Sequence, residues 1–215
     1  MPKLNVPPTK SSYLTLSRQL ESAEEGYDLL EQKRQILIYE LMSRLGRARD
    51  AERRVGDAMG RAFAALRGAT LDIGSEALDR ATLGVRYDHA VELSEQSVVG
   101  LRIPATAVRP EAPGVQFGVG GTSAGADLTM RRFVEVLPLL GELAELENAV
   151  LRLARELRKT QRRCNALSKV FIPTYTDTID YIQSSLEERE RESLIIMKMV
   201  RDRLTAAVEG GPGHG

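Results

Sequence analysis

The run Gly118-Val119-Gly120-Gly121-Thr122-Ser123 has the composition of a phosphate-binding loop. It lacks the Gly-Lys-Ser/Thr ending that would set a lysine on the phosphates, so nucleotide binding is rejected there. A glycine-rich connection that ends in a Thr122 or Ser123 helix cap fits the same residues. Carboxylate pairs occur at Glu24-Glu25 and Glu187-Glu188. Sequence neighbours diverge around a helix, so these pairs suit solvated faces better than acid–base catalysis. The only cysteine, Cys164, excludes an internal disulfide and points to a reducing compartment. With just two histidines, His89 and His214, the chain cannot assemble a structural zinc site from cysteine and histidine. No catalytic, cofactor or metal constellation emerges, and a non-catalytic interaction protein is the expectation.

Charge is the most patterned chemistry. The chain has 215 residues, 30 basic and 30 acidic, for zero net charge, which argues against a dedicated nucleic-acid binder. Yet Arg44, Arg47, Arg49, Arg53 and Arg54 form one basic run, and Arg152, Arg155, Arg158, Lys159, Arg162 and Arg163 form another. If both lie on helices that fold back with Thr9 and Ala207 level, the runs meet in a positive belt. Solvated faces with local pairing to Asp50 and Glu52 account for the same residues.

The elements that carry these charges follow from hydrophobic spacing. Alanine, glutamate, lysine, leucine and arginine supply close to half the chain, and aromatic residues only 5%. No proline falls between Thr9 and Ile103. There, positions 16, 20, 23, 27, 30, 34, 37, 41, 44, 48, 51, 55, 58, 62 and 65 alternate by four and three, and all but Arg34 and Arg44 are apolar. That is a coiled-coil seam. A second seam starts at Val136 and keeps the rule through Leu139, Leu143, Leu146, Val150, Leu153, Leu157, Thr160, Cys164, Leu167 and Phe171. It then skips one residue to Tyr175, Ile179, Ile182 and Leu186, and Pro173 inside the skip is read as a kink.

The expected fold is therefore mainly α: two long helices in an antiparallel coiled coil, a rod with a small helix and β-hairpin insert at the turning end. The segments are a helix over 9–68, an insert over 69–122, a second helix over 123–207 kinked near Pro138 and Pro173, and a disordered tail over 208–215. Within the insert, Ser75 would cap a short helix to Leu83. Val91–Ser94, Val98–Ile103 (ending at Pro104) and Val115–Val119 read as strands. No apolar run reaches the ~18 residues of a membrane span, and no secretory leader is visible.

Several stretches resemble the D subunit of the V-type and archaeal A-type rotary ATPases. Arg162-Arg163-Cys164-Asn165-Ala166-Leu167, Val170 and Ile172-Pro173 are similar to that family's R-R-x-N-A-L-x-x-V-x-I-P segment. Pro8-Thr9-Lys10, Gly26, Leu29-Leu30 and Lys33-Arg34 resemble its opening motifs. Gly100-Leu101-Arg102-Ile103-Pro104 and Gly121-Thr122-Ser123-Ala124 look like its insert landmarks.

The resemblance implies a cytoplasmic, non-catalytic rotor shaft, peripheral to the membrane within a membrane-bound complex and without direct membrane insertion. Its implied partners are a ring of catalytic and regulatory subunits (A and B), the small F subunit, and the funnel-shaped subunit (C/d) above the membrane ring. Arg47, Arg54, Arg158 and Arg162 are then candidates to face acidic loops of the ring, and Val99, Leu101 and Ile103 candidates to meet partners at the inserted end. Leu194, Ile195, Met197 and Met199 are surplus to the seam, which needs only Ile196 and Val200. Either a hydrophobic sleeve of the ring covers them, or Tyr13, Leu14 and Leu16 do. A prefoldin-like coiled-coil chaperone or scaffold is the alternative, although its helices are shorter and its sequences lack the Arg162–Leu167 and Ile172-Pro173 motifs.

Overall fold

A computed structural model describes residues 4–85, 88–111, 114 and 122–209. In chain order the elements are α1 (Lys10–Ile73), α2 (Ser75–Thr82), β1 (Ala90–Val98), β2 (Leu101–Arg109), α3 (Ala124–Ala166), a π-helical turn (Leu167–Phe171) and α4 (Ile172–Glu209). The strand candidate Val115–Val119, the glycine run to Gly121 and the tail from Gly210 lie outside the described residues. The chain divides into two compact units, residues 34–159 and residues 1–33 with 160–215.

In the 34–159 unit, α1 and α3 bury the predicted seam. Ala48 and Ala51 pack on Leu146, and Ala58 and Ala62 on Val136. Leu37 meets Ala149 and Leu153. Small residues at 48, 51, 58 and 62 make this a close helix contact of modest buried area, since apolar burial stabilises by roughly 25 cal/mol per Å². Near the chain reversal the backbones come closer still. A Cβ on Gly125 would lie 3.3 Å from the Ala69 Cα. Phe63 and Phe133 meet edge to face, their centroids 5.5 Å apart. α1 runs on to Ile73 and stops at Gly74, whose φ of 81° an L side chain rarely adopts. Gly74, not Ser75, therefore holds the N-cap position of α2, and no side chain caps that helix.

The hairpin lies along α3 instead of standing beyond the helix ends. Val98 pairs with Leu101, and Val99 (φ 52°) and Gly100 (φ 76°) make the two-residue turn. Two positive φ values match a type I′ turn, which suits the twist of a hairpin. The second strand accordingly starts at Leu101 and runs through Pro104, not up to it. Counting from the turn, Pro104 faces Glu95 at a non-hydrogen-bonded position, where its missing N–H breaks no ladder bond. Other outward-facing groups of β2 are taken up by α3: Arg152 Nη1 donates to the Arg102 carbonyl (2.7 Å), and the Thr106 N–H donates to Glu145 Oε2 (2.8 Å). Ile103 is 2% exposed in the cluster of Leu37, Ala149 and Leu153, with Val99 and Leu101 packed against it.

In the other unit, the start of α1 packs on the end of α3 and on α4. Leu16, Cys164 and Ile182 are buried. Thr178 is wholly buried; its hydroxyl donates to the Thr174 carbonyl (2.6 Å) and accepts the Leu4 N–H (3.2 Å). Arg189 Nη1 donates to the Pro8 carbonyl (3.0 Å), and Lys10 pairs with Glu190 (3.2 Å). The skip in the second seam is absorbed by the π turn, in which the Ile172 N–H bonds the Leu167 carbonyl five residues back. Pro173 continues directly into α4, so the adjustment at this level is one extra residue per turn as well as a proline.

Hairpin docking turns on Gly141, where a Cβ would stand 2.5 Å from Val108 Cγ2. Gly141→Ala should gain about 1 kcal/mol in helix propensity and lose about 1–3 kcal/mol to overpacking. A lower melting temperature is expected, recovered by adding Val108→Ala. An unchanged or raised melting temperature in the single variant would show that the hairpin does not hold this position.

Candidate functional site

Among the described residues no group of three or more His, Cys, Asp or Glu could hold a metal ion, and the candidate site is a set of surfaces. The largest is the free end of α4. Because Lys10, the first residue of α1, lies opposite Glu190, residues past Glu190 outrun the start of α1. Leu194, Ile195, Ile196, Met197, Met199, Val200 and Leu204 are each 50–63% exposed. These residues span all sides of the helix, whereas a soluble surface helix keeps its apolar residues on one stripe. Tyr13, Leu14 and Leu16 do not cover the tip: Tyr13 is half-buried, Leu14 is itself exposed, Leu16 is buried, and the tip residues keep their exposure.

The register within the 34–159 unit corrects the basic belt, because the two runs do not come level there. In the 34–159 unit Arg54 ion-pairs with Glu142 (2.7 Å), and Ala48 lies against Leu146. Residues 44–54 of α1 therefore run beside residues near 142–150. Leu153, at the head of the second run, lies beside Leu37. Within this unit the first run and the start of the second, from Arg152, follow one another along the paired helices. Arg47 is exposed; Arg158 and Arg162 are exposed and each engages a neighbouring group. Arg44 sits on the seam, its side chain 14% exposed, paired with Glu40 (3.5 Å). Arg53 pairs with Asp50 and Lys159 with Glu156, as local neutralisation requires. Among the insert candidates, Ile103 belongs to the core and is not presented outward, while Val99 and Leu101 are half-buried.

Two further apolar surfaces were missed by spacing arguments. Ile36, Tyr39 (75% exposed) and Met42 line one outer face of α1, and Leu71 and Leu83 are nearly fully exposed by the chain reversal. Their signal was available: each is a large apolar residue off the four-three seam, and such a residue has no cover in a two-helix pair.

Paired long helices with a docked hairpin and an uncovered apolar helix end suit an assembly component. The family model for the ATP synthase D subunit matches residues 12–202. The chain belongs to this family. Among relatives, the V-type ATP synthase D subunit of Thermotoga neapolitana is 33% identical over 201 residues, covering 94% of this chain and 99% of its own. The A-type ATP synthase D subunit of Pyrococcus furiosus is 35% identical over 208 residues, covering 94% and 96%. That of Methanosphaera stadtmanae is 34% identical over 200 residues, covering 92% and 94%. These matches run nearly end to end and displace the prefoldin-like alternative. No helix among the described residues is long and apolar enough to cross a membrane.

The free tip makes a direct prediction. Ile182→Ala, in the buried seam, should cost the isolated chain about 2–5 kcal/mol, and Ile196→Ala, at the exposed tip, less than about 0.5 kcal/mol. Urea unfolding of both variants checks this; a large loss from Ile196→Ala would show that the tip is covered within the free chain.

Proposed function

We propose that this chain is the non-catalytic central-stalk rotor component of a V/A-type rotary ATPase or ATP synthase. It transmits torque between the catalytic ring and the ion-translocating membrane ring. The observation that carries this reading is the α4 end, apolar on every side and uncovered. A helix of that kind is stable in water only when something surrounds it, and a sleeve formed by the A and B subunits would do so. Family membership supports the assembly, and nucleotide chemistry then belongs to the surrounding subunits.

The remaining surfaces sort by position. The face with Ile36, Tyr39 and Met42 suits the small F subunit. The chain reversal, with Leu71 and Leu83 exposed, suits the funnel-shaped C/d subunit. Arg47, Arg54, Arg158 and Arg162 face acidic loops of the ring as an extended basic track instead of one belt. Exposed charges of this kind steer and centre a partner more than they hold it. The assembled shaft works on the cytoplasmic side, peripheral to the membrane.

Reconstitution tests the reading. Ile196→Asp with Met199→Asp should leave the free chain folded, weaken association with an A/B ring by at least about tenfold, and abolish rotation. The F subunit should still bind. Each lost contact of about 1.4 kcal/mol accounts for one such factor. Ring binding and rotation at the level of the unaltered chain would refute the sleeve.

A further inference from the structure

We propose that the π turn at Leu167–Phe171, together with Pro173, is the torsional joint of this shaft. The inference rests on the rotor reading above and adds to it where the twist is taken up. Leu167 and Tyr175, both seam residues, are eight positions apart where the four-three rule allows seven. One extra residue must be accommodated, and the i to i−5 bond from Ile172 to Leu167 does so.

Three observations make this level looser than its neighbours. Pro173 has no N–H, so one carbonyl of the widened turn receives no helical donor. Phe171, a seam position by spacing, is 45% exposed, and Val170 beside it is also exposed. An open groove of about 510 Å³ lies along the helix pair at this level, lined by Thr15, Arg18, Ser22, Leu167, Phe171 and Tyr175 among others. On either side Cys164 and Ile182 are buried. Levels of a loaded shaft share the same torque, so the level with the fewest packing and backbone contacts takes the largest angle. Local opening also concentrates where such contacts are few.

A one-residue deletion isolates the effect. Removing Lys169, which is exposed, makes the Leu167-to-Tyr175 spacing seven and keeps both flanking seams in phase. Combined with Pro173→Ala, it converts the segment to continuous α-helix. Lys169→Ala at full length serves as the control, and circular dichroism verifies that all chains fold. In the full chain, amide exchange over residues 168–174 should slow at least about tenfold in the deletion variant and remain unchanged in the control. In the reconstituted complex with the ring arrested, angular fluctuation of a probe on the shaft should fall by about half. Unslowed exchange overturns the proposal, and so does slowed exchange with unchanged angular fluctuation. A wild-type complex that assembles but never rotates would sink the rotor reading instead, while the arrested-shaft comparison would still decide the joint.

Discussion

The four-three spacing of apolar residues along α1, α3 and α4 is the constraint on which the other features depend. A seam between two helices is one side-chain layer thick, so every seam residue must be in place and every large apolar residue off the seam is uncovered. All fifteen predicted positions on α1 are buried or half-buried, including Arg34 and Arg44. For the two arginines this is possible because the long stem lies along the seam while the charged head reaches a neighbour, as Arg44 reaches Glu40. The alanine-rich stretch from Ala48 to Ala62 lets the helices approach closely but buries little, and the docked hairpin thickens the core where leucine returns at Leu37 and Leu153.

The hairpin solves two problems with one placement. A two-stranded ribbon is marginal in water and has two open edges. Laying it on α3 buries Ile103, and along the outward edge of β2 Arg102 is met by Arg152, Pro104 lacks a donor and Thr106 is met by Glu145, so that edge offers no template for another strand. Gly141 is what lets Val108 approach the helix. Val99 holds a φ of 52°, unusual for a β-branched residue, and its packing against the Ile103 cluster is what offsets that backbone preference.

Period was legible in the sequence because it is a local property repeated many times; register was not. The two seams and the skip near Pro173 could be read from spacing, and a short helix and a hairpin in the insert from residue type, although the expected strand Val98–Ile103 ran across the Val99-Gly100 turn. Which residue of one helix lies opposite which residue of the other could not, since a heptad seam fits its partner equally well after a shift of seven. Aligning Thr9 with Ala207 was therefore arbitrary, and the level of the basic runs failed with it. The turn at Val99-Gly100 was missed for a different reason: valine is a poor turn residue, and tertiary packing overrode its propensity. The skip reads from the spacing as one extra residue with Pro173 as a kink, while the π turn that accommodates it leaves no residue signature beyond that extra position.

That register also explains why the apolar tip carries the functional argument and the basic residues do not. Charges in a chain with 30 of each sign can be neutralised by neighbours on the same helix or the facing one, and Arg53, Arg54 and Lys159 are. Each such pair contributes a few tenths of a kcal/mol and leaves the residue serviceable alone. Exposed leucine, isoleucine and methionine on every side of one helix have no comparable local remedy. Once Lys10 is set opposite Glu190, no residue of α1 remains to cover positions 194–204. An isolated helix of that length is also marginal in water. A surrounding surface supplied by other chains would remove both costs, so the length by which α4 outruns α1 supports the proposed partner at this end.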